Sequence, residues 1–314
     1  MKVVDVNMGV GELADQIRKL DDRIELSVPE DEVQMDETLP QAEVVLGYLP
    51  PDQFARATQL RWMINGGAGI DSILFPELVE SDVTLVSAKG HVGTHLAEHA
   101  LALLLAVTRG VGVTVRHRTW ETKWPIRNAS WELTGLSLGI VGFGATGREL
   151  ARRAASFDMR IIAVDPVDIE LPEYVDACWK MDRFFDLLSQ SDVVAICAPL
   201  TPETENMFNR EAFDRMQNHA ILVNITRGGL MDETALMEAL DNGSIGGAGL
   251  DVTPVEPLPD DHPLWNYENV VLTPHTAGAS PLRMQRWVDL VCENLRRDLA
   301  GEPLLCVIDK RLGY

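Results

Sequence analysis

Seven residues near the end of the chain, LTPHTAG at 272–278, hold a histidine between a proline and a small-residue turn, directly after the apolar run VVL. An imidazole is suited to proton exchange near neutral pH, because its unperturbed pKa is about 6.5. A loop histidine also serves as a cap satisfied by nearby backbone, so position alone leaves both roles open. A second stretch, LGIVGFGATGREL, passes from an apolar strand through Gly142, Gly144 and Gly147 in GxGxxG spacing into a helix start. The first glycine permits a tight turn, the second lets a pyrophosphate approach the backbone, and the third allows close helix–strand packing. The amides at the helix start, those of Ala145 and Thr146 included, then face the phosphates. RIIAV follows, and Asp165 stands at the strand end, where a carboxylate binds both ribose hydroxyls and repels a 2′-phosphate; NAD is therefore the expected cofactor. Asp158, in SFDM, takes a helix-end position where glycine is usual, although aspartate tolerates such a turn. A third pattern, HLAEH at 95–99, matches the inverted zinc-peptidase motif, with His95 and His99 four residues apart and Glu98 as the base. So short a pattern arises readily by chance, and no metal is expected. His91, His95 and His99 are read instead as interdomain or cleft-lining residues.

These groups need elements to hold them. The 314 residues exceed the usual size of one domain, and an apolar fraction of 46% supplies a sizeable core. A formal charge of -21 argues against nucleic acid or an anionic membrane as a partner. The N-terminus carries no signal-peptide pattern, and ALALLLAV at 100–107 is too short to span a bilayer. Four cysteines without CxxC spacing read as reduced, packed thiols, so a cytoplasmic location is expected.

Short β-branched runs (KVVDVNM, RIELSV, AEVVLGYL, RWMING, VTLVSA) alternate with helical periodicity, which implies parallel strands joined by helical crossovers. The alternation resumes after a Trp-rich segment with six strand candidates: LGIVG, RIIAVD, DVVAICAPL, AILVNI, GGAGLDV and NVVLTPH. The predicted fold class is α/β, with two Rossmann-like doubly wound parallel-sheet domains. Residues 1–95 plus 285–314 form a discontinuous, flavodoxin-like substrate domain and 96–284 a dinucleotide-binding domain, with the strand-like tail EPLLCVIDK returning to the first.

With these segments in order, the chain resembles the D-isomer-specific 2-hydroxyacid dehydrogenases along nearly its whole length. NITRGGLMDETAL looks like the arginine segment of that family, DVTPVEP its glutamate segment and TPHTAG its histidine segment; APLTPETENMF is similar to its nucleotide-side loop and GAGID to its substrate-carboxylate loop. The resemblance implies Arg227, Glu256 and His275 as the catalytic set, and each suits the chemistry. When a hydride reaches a 2-oxo carbon, the oxygen needs a proton donor, and histidine fits. A glutamate on the second ring nitrogen favours the protonated ring and orients it. A guanidinium fork holds a carboxylate or polarises the ketone oxygen.

By the same resemblance, backbone N–H groups of Gly67, Ala68 and Gly69 grip the substrate carboxylate, and Asp251 accepts from the nicotinamide carboxamide. Pro199, Thr204, Ile225 and Thr226 line the cofactor. The function implied is hydride transfer between NAD(H) and a small D-2-hydroxy or 2-oxo acid, glyoxylate and hydroxypyruvate leading because Tyr48 and Leu49 in GYLPP are not basic. The corepressors that resemble this family and bind NAD without turnover are the rival reading, which a turnover assay separates. Trp120, Trp124 and Trp131 correspond to the arm through which subunits pair, so a homodimer is expected.

Overall fold

The computed structural model describes residues 1–6 and 8–314, so Asn7, within the first predicted strand run, lies outside it. The chain divides into two compact units, Met1–Val92 with Ser280–Tyr314, and Gly93–Ala279. The divisions fall a few residues before those expected at 95/96 and 284/285. A helix starts at Gly93 and belongs whole to the second unit, while the chain turns back into the first before its last helix, Arg283–Ala300.

In the first unit, β1 (Lys2–Val6), β2 (Glu25–Ser27), β3 (Val44–Gly47), β4 (Trp62–Ile64) and β5 (Thr84–Val86) form a parallel sheet ordered β2-β1-β3-β4-β5. Alternate side chains point to opposite faces of a strand, so each face has its own apolar cluster. Val3, Val44, Leu46, Trp62 and Ile64 pack with Trp287, Val288, Val291 and Leu295 of the last helix. Val4, Val45, Met63 and Leu85 pack on the opposite face with Leu39, Leu49 and Leu78. Each fully buried leucine or valine contributes roughly 1.5–3 kcal/mol of transfer free energy. The tail departs from expectation. It is not a strand; Val307 makes one isolated antiparallel bridge to Val86, and Cys306, at φ 57, breaks the extended run.

In the second unit, β6 (Ser137–Val141), β7 (Arg160–Val164), β8 (Ala177–Trp179), β9 (Val193–Ile196), β10 (Ile221–Asn224), β11 (Gly247–Leu250) and β12 (Val270–Leu272) form a parallel sheet ordered β12-β11-β10-β9-β6-β7-β8. All six expected strands are present, and the short edge strand β8 is additional. From β6 the chain builds outward to β7 and β8, then crosses back to β9, so the strand order reverses between β6 and β9. Open α/β sheets bind ligands beyond the carboxyl ends of the strands at such a reversal. Asp158 closes the helical segment after Ala154 in left-handed conformation (φ 55), filling the turn where glycine is usual. The Trp-rich segment is more helical than its turn-rich composition implies, with a helix at Lys123–Ala129. No single helix among the described residues is long and apolar enough to cross a membrane.

Candidate active site

At the sheet reversal each glycine of GFGATG has a separate steric reason. Gly142 has φ 92, and a Cβ there would lie 2.7 Å from the Ala198 backbone nitrogen beyond β9. A Cβ on Gly147 would overlap the Gly142 carbonyl, so the helix Ala145–Ala154 sits directly on the turn. Gly144, the N-cap of that helix, faces open space. A cradle with two closed sides and one open side fits a pyrophosphate at a helix N-terminus. Asp165 follows β7 and is half-buried; its oxygens accept from the backbone N–H groups of Phe143 (2.8 Å) and Val167 (2.9 Å). The carboxylate is thus aimed along the glycine turn, and each oxygen keeps a further lone pair for a hydroxyl.

Around this cradle, Pro199 is exposed, and the Thr204 hydroxyl donates to its carbonyl at 2.8 Å, folding the loop after β9. Thr226 is half-buried and bonded to Asn224. Ile225 is 2% exposed and packs within the core, because it continues the inward-facing register of β10.

Arg227 stands three residues beyond the end of β10, half-buried, with Nη1 donating to the Thr226 carbonyl at 2.8 Å. The turn that carries it is built by Asn224, fully buried, whose Nδ2 donates to the Arg227 carbonyl (2.8 Å) while Oδ1 accepts from Thr226 N–H (3.1 Å). Gly228 follows. A Cβ there would overlap the carbonyl of Thr253 and the nitrogen of Pro254, so the arginine loop and the glutamate loop touch backbone to backbone. In the glutamate loop, Glu256 Oε1 accepts from Thr253 N–H at 3.1 Å, and Oε2 meets His275 Nδ1 at 2.6 Å. A carboxylate only accepts, so the proton of this bond lies on Nδ1 and the ring presents Nε2 to its surroundings. The pair is half-exposed, with 46% of the histidine side chain and 37% of the glutamate accessible.

His275 has φ 52, a left-handed conformation uncommon for residues other than glycine, although histidine is among the side chains that adopt it more often than most. Asp251 holds it there. Its carbonyl accepts from His275 N–H (2.8 Å), and its carboxylate accepts from Thr276 N–H and Ala277 N–H, both at 2.8 Å, and from the Thr273 hydroxyl at 2.6 Å. The Asp251 side chain has no exposed surface, and its oxygens are engaged by the histidine turn.

In the first unit, Asn65 Nδ2 donates to the carbonyls of Gly67 (3.2 Å) and Gly69 (3.0 Å), and Ala88 N–H also donates to Gly67. Across a trans peptide the N–H points opposite to the C=O, so the Ala68 amide is directed away from the Asn65 side chain that holds the Gly67 carbonyl. In the GYLPP loop, Leu49 is fully buried in the core, while Tyr48 is half-buried. The HLAEH residues do not converge as ligands. Glu98 pairs with Arg153 (3.3 Å), His99 Nε2 meets the Thr273 hydroxyl (2.8 Å), and among the described residues no three His, Cys, Asp or Glu side chains group to hold a metal. Asn65, Asn224 and Gly228 were not singled out by type or motif. An asparagine at a strand end beside glycines was the only available signal.

The chain is similar to known proteins along most of its length. Residues 101–277 match the family model described as D-isomer specific 2-hydroxyacid dehydrogenase, NAD binding domain. A glyoxylate reductase of Korarchaeum cryptofilum is 39% identical over 259 residues, 79% of this chain and 76% of that protein. A hydroxypyruvate reductase of Thermotoga maritima is 35% identical over 281 residues, 85% of this chain and 88% of that one. The crystal structure of a D-isomer specific 2-hydroxyacid dehydrogenase from Xanthobacter autotrophicus, solved with NADPH and MES, superposes with a TM-score of 0.82 at 27% identity, covering 100% of this chain and 99% of that one.

Proposed function

We propose, from the premise that this chain belongs to the D-isomer-specific 2-hydroxyacid dehydrogenase family, that it reduces small 2-oxo acids to D-2-hydroxy acids, with His275 as the proton donor. Membership makes it an oxidoreductase that uses a nicotinamide dinucleotide and acts on 2-hydroxy or 2-oxo acids. The bound dinucleotide supplies the hydride. What carries the reading of His275 is the 2.6 Å bond between its Nδ1 and Glu256 Oε2. Glu256 accepts from Nδ1 and fixes the ring's rotation, so that Nε2 delivers a proton to the oxygen turning into a hydroxyl, and takes it back in the reverse direction. Arg227 holds the substrate carboxylate or polarises the ketone with a planar fork that a lysine lacks. Backbone N–H groups of the Gly67, Ala68 and Gly69 loop are of the kind that binds a carboxylate, since small or missing side chains let an anion approach the main chain.

Gly142, Gly144, Ala145, Thr146 and Gly147 cradle the pyrophosphate. Pro199, Thr204, Ile225 and Thr226 border the rest of the cofactor. Asp165 takes the ribose hydroxyls and disfavours a 2′-phosphate, so NADH is preferred over NADPH. Glyoxylate and hydroxypyruvate lead among the substrates, since two relatives bear those names. A screen of NADH oxidation over a panel of 2-oxo acids, repeated with NADPH, tests this reading. It predicts turnover of a small 2-oxo acid with NADH favoured, and a narrowed preference in Asp165→Ser. An enzyme inert towards the whole panel overturns the reading.

The chain is also proposed to act as a homodimer in the cytoplasm. Trp120 is 88% exposed and Trp124 62%, beside exposed Val111 and Val115, which is more aromatic surface than water favours. Trp131 is different; it packs on the core of the second unit and edge-on to His219. Light scattering is expected to give twice the chain mass of 34.7 kDa, and Trp120→Ala with Trp124→Ala to shift it towards one. A wild-type mass of a single chain contradicts the dimer. All four cysteines are free thiols, which suits a reducing compartment.

A further inference from the structure

We infer that His99 is a positioning residue for proton transfer: through the Thr273 hydroxyl and the buried Asp251 carboxylate, it anchors the turn that presents His275. The inference rests on the reading of His275 as the proton donor. His99 lies on the helix Gly93–Thr108, and its Nε2 is 2.8 Å from Thr273 Oγ1 and 3.2 Å from Asp251 Oδ1. The Thr273 hydroxyl has one hydrogen, and the 2.6 Å bond to Asp251 uses it, since a carboxylate can only accept. The contact with His99 must then be a donation from Nε2–H, which fixes the ring's tautomer. His99 is thereby the outermost donor of a chain ending on the histidine turn: His99 to Thr273, Thr273 to Asp251, and Asp251 accepting from Thr276, Ala277 and His275.

Two further observations give this chain leverage. Asp251 has no exposed side-chain surface, and a buried carboxylate that loses a donor is costly. The helix is also held tightly against β11, which ends just before Asp251. A Cβ on Gly249 would stand 2.8 Å from Leu103 Cβ, and Ala97, Ala100, Leu103 and Leu104 are buried along the same helix. A rigid helix at close approach makes His99 a fixed post, which the left-handed His275 needs because its conformation is not self-sustaining.

The test compares His99→Leu with His99→Gln, whose amide donates from a similar position. In His99→Leu, kcat for 2-oxo acid reduction is expected to fall about 10- to 100-fold while KM for NADH stays within about two-fold; His99→Gln returns kcat to within about three-fold of wild type. A wild-type kcat in the leucine variant, or equal loss in both variants, overturns the anchor. Should His99→Leu fail to fold, Thr273→Val removes only the relaying hydroxyl and is expected to reproduce the loss; full turnover there overturns the proposal as well. If the wild type reduces no 2-oxo acid, the proton-donor reading fails by itself. The anchor is then read from the His275 ring resonances by NMR, which are expected to move in His99→Leu; unmoved resonances overturn it.

Discussion

His275→Asn is expected to lower 2-oxo acid reduction by about three orders of magnitude while leaving NADH affinity within a few-fold of wild type. Asparagine is the informative replacement because it, too, tolerates the left-handed backbone that His275 adopts at φ 52. The turn therefore survives, with the Asp251 bonds to the amides at 275, 276 and 277 intact. The amide can still donate to Glu256, but it cannot release a proton to a developing alkoxide. Loss of kcat with retained cofactor binding isolates the proton, and positioned general acids contribute between about 10² and 10⁴ in rate. Steady-state kinetics with NADH titration by fluorescence quenching measures both quantities. A variant within about ten-fold of the wild-type kcat would remove His275 from the role.

Gly228→Ala is the second large effect expected. The added methyl would coincide with the Thr253 carbonyl and the Pro254 nitrogen, all main-chain atoms that cannot rotate aside. The arginine and glutamate loops must separate, which carries Arg227 away from the Glu256–His275 pair. Overpacking of this kind costs about 1–3 kcal/mol of stability, and a displacement near 1 Å in a reacting constellation costs about 10²-fold in rate. Thermal unfolding beside kcat/KM reads both. Wild-type values for the alanine variant would mean that the two loops do not depend on this contact.

Strand–helix alternation made both sheets legible in the residues, because buried parallel strands need apolar runs and crossovers need helical periodicity. The exceptions have local causes. β8 is three residues, ACW, at a sheet edge, too short to show a period. The tail has the composition of a strand, but the left-handed Cys306 limits it to one bridge. In the candidate site, spacing was enough to single out the three glycines of the nucleotide turn, whereas His275, Glu256 and Arg227 stood out as a set only through the resemblance to the family. Asn65, Asn224 and Gly228 act by closing turns or letting two loops meet, which depends on burial and proximity that a linear reading lacks. The full enclosure of the Asp251 side chain is a feature of the same kind.

The first unit is assembled from Met1–Val92 and Ser280–Tyr314. Trp287, Val288, Val291 and Leu295 cover one face of its sheet, yet they leave the ribosome only after the 187 residues of Gly93–Ala279. At about 5–20 residues per second, that apolar face waits roughly 10–40 s for its cover during translation. The nascent chain thus carries a long-lived sticky surface, a natural client for chaperones, while the nucleotide-binding half completes its fold first.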